Sequence, residues 1–333
     1  MAYLHLGQRA SDQAHVHCVI IGFSYVPNEL RQIFDNGEVI NAKNINGYLS
    51  DAPNVFIPAR IQAIDTQHKK MIQGNKPVDG GNLILSPDER DDLLEHYPEL
   101  EPLIRPYIGS EEFINKGERY CLWLKDAQPQ TYSKIPEIRR RLEAVRDTRL
   151  ASPTKEFREY ADMPTLFVQD RQPESNYLVV PHVSSERRAY VPIGYLQPSV
   201  IISNLVYALP DATLFDFALV TSQMHNAWMR TIAGRLESRY RYSPVVYNSF
   251  AYPSVDETQR AEIERLAQAV LDARANYPES SLADLYDPLT MPPDLLKAHK
   301  DLDKAVEHAY GVRFSGNEEK IVSHLFKLYS NRV

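Results

Sequence analysis

The sequence predicts an α+β fold in which a mixed β/α region is followed by a small helical region. Runs rich in β-branched and aromatic residues, such as 177–180 and 200–206, are punctuated by prolines in the middle of the chain, which is typical of short strands. After residue 254, apolar residues recur at helical spacing, as in 256–276 and 317–329. A chain of 333 residues is long enough for about two domains.

The composition is that of an ordinary soluble protein. Hydrophobic residues make up 43% of the chain and charged residues 24%, as in typical globular domains. No apolar run approaches the roughly 18 residues that cross a bilayer, and the N-terminus lacks the charged-then-apolar pattern of a signal peptide. The sequence therefore predicts a cytoplasmic protein without a membrane partner.

The two cysteines predict buried, reduced thiols. Cys18 and Cys121 each lie within an apolar run, where a free thiol behaves as a small hydrophobic side chain. Neither cysteine has a partner at the spacing of zinc ligands. We therefore expect no metal site in this chain.

The net charge of the chain argues against binding to nucleic acid, but basic and acidic residues are unevenly distributed along the sequence. The formal net charge is −7, whereas affinity for DNA comes mainly from neutralised phosphates. Residues 134–241, however, carry 15 basic and 12 acidic side chains, which leaves 22 basic and 32 acidic side chains for the rest of the chain. A basic middle between acidic ends suits a protein that contacts DNA on one face, although charge alone does not decide the question.

Residues 181–205 place short polar side chains and two arginines between two β-prone runs. Because prolines punctuate this region, we expect these side chains at a strand end or in a turn. Arginine matches phosphates or guanine edges and serine matches phosphates, so the segment is a candidate DNA contact. A surface turn in which Glu186 pairs with an arginine is the alternative. The candidate residues are Ser184, Ser185, Glu186, Arg187 and Arg188.

A basic helix is predicted over 134–149. Its apolar stripe is flanked by basic side chains that include Arg139, Arg140 and Arg149. This pattern indicates either a solvated basic face or a helix that lies along a phosphate backbone. Arg139 and Arg140 are the DNA-contact candidates of this helix.

Two polar segments flank that helix. A strand predicted over 166–171 ends in Gln169, Asp170 and Arg171, which are residue types that pair with base edges. In the glycine-containing loop 74–83, the backbone can approach a ligand closely and Lys76 can contact a phosphate. A wide turn before a strand at 83–85 is the alternative interpretation of this loop.

Residues 214–232 are predicted to form one helix, which carries the further candidates Asn226 and Arg230. A compact basic and aromatic patch follows, with tyrosines interleaved among Arg235, Arg239 and Arg241. Phosphate contacts are the preferred role for these arginines. Structural salt bridging is the competing role.

Several segments together resemble a known family. The segment Val183-Ser-Ser-Glu-Arg-Arg-Ala-Tyr-Val-Pro-Ile-Gly194 resembles the C-terminal half of the MmeI-like (type IIL) restriction-modification enzymes. These are single chains that carry an endonuclease, an N6-adenine methyltransferase and a target recognition domain. The resemblance extends over nearly the whole chain and includes residues 14–23, 51–57, 75–86, 107–124, 233–243 and 281–288.

The resemblance implies a domain organisation and a function. Residues 1–26 would be a remnant of the last methyltransferase strand or hairpin. The apolar run 15–26 is of the kind buried inside an α/β sheet, and we expect this strand to be poorly supported here or to lie on the next domain. Residues 27–253 would form a target recognition domain and residues 254–333 a C-terminal helical domain. The implied function is sequence-specific recognition of double-stranded DNA for an N6-adenine methyltransferase.

The motifs that carry methyl transfer in that family do not occur in this sequence. It has no glycine-rich loop for S-adenosylmethionine and no Asn/Asp-Pro-Pro-aromatic motif, and its only double proline is Pro292-Pro293. We therefore expect no catalytic residue and no cofactor site in this chain, and we assign S-adenosylmethionine to a separate or upstream methyltransferase domain. A non-catalytic scaffold subunit of a phage-defence complex and a truncated remnant without an independent role are the alternatives.

Overall fold

The computed structural model describes residues 3–4, 18–26, 30–35, 37–59, 62–236 and 238–333. Strands and helices are interspersed up to residue 248, and after that residue the described elements are all helices. The predicted α+β class is confirmed. Among the described residues, no helix is both long enough and apolar enough to cross a membrane.

The first part of the chain contains short strands and helices. The strands are β1 (Tyr3–Leu4), β2 (Cys18–Val19), β3 (Arg31–Asp35), β4 (Glu38–Ala42), β5 (Ile72–Gln73), β6 (Ile84–Leu85), β7 (Ile104–Ile108) and β8 (Tyr120–Leu122). The helices are α1 (Pro87–His96), a 3₁₀ helix (Pro98–Leu103), α2 (Ser110–Asn115), α3 (Pro129–Tyr132), α4 (Pro136–Leu150) and α5 (Lys155–Glu159).

The second part begins with strands and ends with long helices. The strands are β9 (Tyr177–Pro181), β10 (Val183–Ser184), β11 (Gly194–Leu196), β12 (Ile201–Ile202), β13 (Val206–Pro210), β14 (Gly234–Leu236) and β15 (Arg239–Arg241). The helices are α6 (Leu214–Thr221), α7 (Gln223–Ile232), α8 (Pro244–Asn248), α9 (Glu257–Ala275), α10 (Leu282–Leu285), α11 (Pro293–Ala309) and α12 (Glu318–Ser330).

One hydrophobic core lies between the sheet β12-β7-β8-β6 and the helices around it. Strands β7 and β8 are antiparallel, whereas β12 joins β7 in parallel. Helix α4 contributes Ile138 and Val145, both fully buried, which confirms the predicted apolar stripe of this helix.

A larger core lies beside the sheet β11-β9-β13-β5. Strands β9 and β13 pair antiparallel over five residues each, and most of their side chains are buried. The C-terminal helices share this core, since Trp228 of α7 contacts Phe326 of α12 edge-on with ring centroids 5.0 Å apart. The helical region therefore shares a hydrophobic core with the mixed region instead of forming a separate one.

The two sheets meet where residues 74–76 run beside residues 202–206. The Gly74 amide donates to the Val206 carbonyl at 3.1 Å, and the Asn75 amide donates to the Ile202 carbonyl at 2.8 Å. A Cβ atom on Gly74 would overlap the carbonyl of Ser203. The glycine thus permits a close approach, but to the chain's own backbone and not to a ligand.

Two sequence-based predictions differ from the structure. Residues 214–232 form two helices, because Ser222 accepts the His225 amide as the N-cap of α7 at 3.3 Å. Residues 166–171 do not form a strand; their backbone pairs only at an isolated bridge between Lys76 and Gln169. Cys121 is buried as predicted, whereas the Cys18 side chain lies outside what the structure describes.

The predicted buried strand over 15–26 is only partly described, because residues 15–17 lie outside the described residues. Residues 19–26 are exposed, with Phe23 at 84% and Tyr25 at 99% of their full accessible surface. Residues 19–26 therefore do not form the buried strand of an α/β sheet, which agrees with the expectation that such a strand is poorly supported in this chain. The assignment of this run as a methyltransferase remnant stays a prediction.

Candidate nucleic-acid interface

Three short strands bring together two distant parts of the sequence. Strand β15 pairs with β10 on one side and with β14 on the other, and we call this unit the arginine sheet. Its register places Val183 opposite Arg241 and Leu236 opposite Arg239. Because side chains alternate between faces along a strand, Arg239 and Arg241 lie on the same face.

That face of the arginine sheet is open to solvent. Arg239 and Arg241 are both exposed, and Leu236 of the neighbouring strand is 53% exposed. The Arg241 guanidinium donates to the His182 ring at 3.2 Å. Among the described residues, which exclude residue 237, no carboxylate lies within salt-bridge distance of either arginine.

The opposite face of the arginine sheet packs on the protein. Ser184 and Tyr240, which are paired across β10 and β15, are both buried. The Arg235 guanidinium lies over the Tyr240 ring at 4.4 Å from its centroid and donates to its hydroxyl at 3.2 Å. The structure therefore separates Ser184 and Arg235 from the face that carries Arg239 and Arg241.

The turn that follows β10 lies beside this sheet. We call residues 185–188 the arginine turn; the Arg187 amide donates to the Ser185 hydroxyl at 3.3 Å, and Glu186 is exposed. Burial lowers the pKa of the Arg188 guanidinium, and the positive charges of Arg187 and Arg239 lower it further while Asp287 opposes them. Arg188 is half-buried, and its guanidinium is thus influenced by the charge of Arg239 in the sheet.

Asp287 partly neutralises the arginine turn. Its carboxylate lies 3.2 Å from the Arg187 guanidinium. The alternative interpretation of the turn paired Glu186 with an arginine, but Glu186 makes no ion pair among the described residues. Asp287 was missed as part of this site, and the only sequence signal for it is its place in the family-like segment 281–288.

A second group of candidates lines a groove of about 640 Å³. Trp123 and Phe167 contribute to its lining, together with the predicted Gln169, Asp170 and Arg171. Lys76 is joined to this group through its backbone bridge to Gln169, and its ammonium lies 4.9 Å from the centroid of Phe157.

Charges in this groove are mixed. The Asp170 carboxylate pairs with the Lys125 ammonium at 2.5 Å, an interaction that the sequence did not indicate. The Arg171 amide donates to the Asn75 side chain at 2.7 Å, while its guanidinium has no ion pair among the described residues. The groove can therefore present both donors and acceptors to a ligand.

The basic helix α4 divides into exposed and buried arginines. Arg139 is exposed, and Arg140 is exposed but holds Glu137 through two hydrogen bonds of 2.6 and 2.9 Å. Arg149 differs from the prediction, because it is fully buried and bonds five backbone carbonyls. Its role is to join α4 to the loops that it contacts.

Two predicted DNA contacts lie in the interior. The Asn226 side chain is fully buried, where it accepts the Val191 amide at 2.8 Å and donates to the carbonyls of Thr221 and Ser222. Arg230 forms two hydrogen bonds with Glu318 of α12, at 2.8 and 2.9 Å, and donates to the Ala189 carbonyl at 3.0 Å. Because their polar atoms are engaged within the protein, we leave both out of the candidate interface.

A buried carboxylate lies behind the arginine turn. Asp303 of α11 accepts the Tyr190 hydroxyl at 2.6 Å and the Gln223 amide at 2.7 Å. Burial raises the pKa of the Asp303 carboxyl from its ordinary 3.8 to about 7. Asp303 was not predicted from the sequence, where it is one acidic residue in a mixed helix.

This pKa predicts how stability depends on pH. Because the folded pKa lies above the unfolded pKa, the contribution of Asp303 is fully present below the unfolded pKa and is lost as pH rises through about 7. Relative to Asp303→Asn, which cannot ionise, the wild-type free energy of unfolding should fall by roughly 2–3 kcal/mol between about pH 5 and pH 8. Urea unfolding of both proteins across this range measures the difference. A difference that is constant with pH would contradict the prediction.

Comparison with known proteins places this arrangement among DNA enzymes. Residues 51–254 match the family model "MmeI, target recognition domain", and residues 255–333 match "MmeI, C-terminal domain". The chain is 37% identical over 323 residues to "DNA methyltransferase A" of Bacillus subtilis (strain 168). This alignment covers 96% of the present chain and 36% of that relative.

A solved structure of the type IIL restriction-modification enzyme MmeI in complex with DNA has the same fold over this region. It matches 99% of this chain with a TM-score of 0.91 and 42% sequence identity. The match covers 45% of the MmeI chain. The present chain thus spans less than half the length of each of these two relatives.

Proposed function

The chain belongs to the MmeI-like (type IIL) family, and from this premise we propose that it recognises specific double-stranded DNA sequences for an N6-adenine methyltransferase. The two family models together match residues 51–333 and are those of target recognition and C-terminal domains. S-adenosylmethionine would be bound outside the described residues and would supply the methyl group. The family assignment agrees with the resemblance found in the sequence.

The observation that carries this proposal is the exposed face of the arginine sheet. Arg239 and Arg241 lie on this face, and the half-buried Arg188 of the adjacent turn is influenced by the charge of Arg239. None of the three has a carboxylate within salt-bridge distance among the described residues. Guanidinium groups without a protein anion are available to phosphate oxygens, which match their fork of donors.

Phosphate contacts would set the position of the protein on the duplex, whereas side chains of the turn and the groove would read bases. Glu186 is exposed beside these arginines, and a glutamate accepts a hydrogen bond from the amino group of cytosine. Gln169 and Arg171 in the groove match adenine and guanine edges in the same way. The methyltransferase domain would act on an adenine rotated out of the stack.

Salt dependence of binding tests this proposal. If Arg187, Arg188, Arg239 and Arg241 each neutralise one phosphate, the logarithm of the association constant should fall with the logarithm of salt concentration with a slope of about −3.6. Fluorescence anisotropy of the purified chain with a labelled duplex of mixed sequence measures this slope. Binding that is absent at low salt, or that is insensitive to salt, would reject the proposed DNA contact.

A further inference from the structure

The segment that carries the arginine turn has little regular structure of its own. Between β10 and β11, residues 185–193 form no helix or strand. Their positions are fixed by side chains from elsewhere: Arg230 of α7 bonds the Ala189 carbonyl at 3.0 Å, and Asn226 of α7 bonds the Val191 amide at 2.8 Å. The conformation of the turn is therefore set by tertiary contacts.

Tyr190 is the most firmly held residue of this segment. It is buried, and its ring stacks on His299 of α11 with centroids 4.2 Å apart and planes 23° apart. Its hydroxyl donates to the Asp303 carboxylate at 2.6 Å. Two side chains of one C-terminal helix thus fix the ring and the hydroxyl of Tyr190, two residues after Arg188.

A second chain of contacts holds the far end of the segment. The His299 ring bonds the Tyr286 hydroxyl at 2.8 Å. The Tyr286 hydroxyl also accepts the Arg274 guanidinium at 2.7 Å, and another nitrogen of Arg274 donates to the Ile193 carbonyl at 2.6 Å. The C-terminal helices therefore hold the segment at both Tyr190 and Ile193.

From these contacts we infer that Tyr190 and Asp303 are positioning residues for base recognition, through which the C-terminal helical region orients the arginine turn. The inference rests on the proposed function. Base readout requires donors and acceptors at fixed positions, because hydrogen bonds weaken steeply with misalignment. Phosphate contacts by flexible arginines tolerate more movement. Loss of the Tyr190–Asp303 bond should therefore reduce discrimination between sequences more than it reduces overall affinity.

The test compares Tyr190→Phe with Tyr195→Phe. Both changes remove a tyrosine hydroxyl that makes a 2.6 Å hydrogen bond, but Tyr195 bonds the Thr213 carbonyl and not an element that holds the arginine turn. Wild type and both variants are used to select duplexes from a random library. The affinity of each protein is then measured for the wild-type preferred duplex and for its single-base-pair variants.

We expect Tyr190→Phe to lose roughly tenfold in discrimination at one or two base pairs, about the contribution of a single base pair. Its affinity for non-preferred duplexes and its salt slope should match those of wild type. Tyr195→Phe should keep the wild-type preference. Unchanged discrimination in Tyr190→Phe would overturn the inference, as would an equal reduction in both variants.

Amide hydrogen exchange separates this inference from the proposed function. In the absence of DNA, exchange at residues 185–189 should be faster in Tyr190→Phe by about tenfold, while Tyr195→Phe leaves these amides unchanged. If wild type shows no sequence preference, the proposed function fails whatever the exchange shows. If wild type discriminates but exchange at the turn is unaltered in Tyr190→Phe, the positioning role alone is rejected.

Discussion

Replacement of Arg149 by methionine is expected to lower the free energy of unfolding by about 4 kcal/mol, because buried hydrogen bonds are removed and buried carbonyls are left without a partner. The guanidinium donates to backbone carbonyls at 2.6 to 3.0 Å, and the side chain is fully buried. The acceptors are Pro77, Val78, Tyr160, Met163 and Leu166.

Two opposing effects decide the size of this change. Burial lowers the pKa of the Arg149 guanidinium, because a charge that is taken out of water loses hydration, at a general cost of several kcal/mol per ion. Hydrogen bonds to a charged group contribute roughly 1.5–3 kcal/mol each, so five of them exceed that cost. Methionine has a similar length but donates nothing, and the carbonyls would remain buried without a partner.

Thermal and urea unfolding measure the effect. A decrease of about 4 kcal/mol corresponds to a fall in Tm of roughly 6 °C for a chain of this size. Arg146→Met is the matched control, because Arg146 lies on the same helix but is exposed and makes a weak 3.4 Å contact with Asp162. That variant should stay within about 0.5 kcal/mol of wild type. Equal stability of the two variants would show that Arg149 does not join α4 to its loops.

Arg149 also shows where sequence patterns stop being informative. The helical period predicted α4 and its apolar stripe, because the period depends only on local spacing. The same period assigned Arg149 to the basic face of the helix, which was interpreted either as solvated or as lying along a phosphate backbone. The burial of Arg149 depends on residues 77–78 and 160–166, whose carbonyls contact its guanidinium. The spacing of residues within the helix cannot predict these contacts.

Other elements were predictable for equally local reasons. The structure has a capping box at the start of α1, with the Ser86 amide bonded to the Glu89 carboxylate at 2.9 Å, and the residues that form it lie three apart in the sequence. The C-terminal helices α9 and α12 begin and end within one residue of the predicted ranges 256–276 and 317–329. Each of these features is fixed by residues close in sequence.

The arrangement of the candidate interface was not predictable in this way. The sequence grouped Arg235 with Arg239 and Arg241, because all three are near each other along the chain. Which face each occupies depends on the pairing of β15 with β10 and β14, and a register shift by one residue would exchange the faces. The pairing of Arg187 with Asp287, 100 residues away, is likewise a tertiary contact.

The face assignment yields the largest expected effect on binding. Replacement of Arg188, Arg239 and Arg241 by alanine should weaken duplex binding by roughly 3 kcal/mol, or about 150-fold, if each guanidinium contributes about 1 kcal/mol through a phosphate. The salt slope should become shallower by about 0.9 for each phosphate that is no longer neutralised, or about 2.7 in total. Anisotropy titrations at several salt concentrations measure both quantities.

The control triple variant replaces Arg235, Arg265 and Arg313 by alanine. It changes the net charge by the same amount, and Arg235 lies in the same sheet as Arg239 and Arg241 but covers Tyr240 on the opposite face. Arg265 pairs with Glu262 on α9, and Arg313 precedes α12 in the chain. If only total charge mattered, both variants would weaken binding equally. If one face of the arginine sheet contacts phosphates, the variant that lacks Arg188, Arg239 and Arg241 should bind DNA much more weakly than the control variant. Only the variant that lacks these three arginines should then show a changed salt slope.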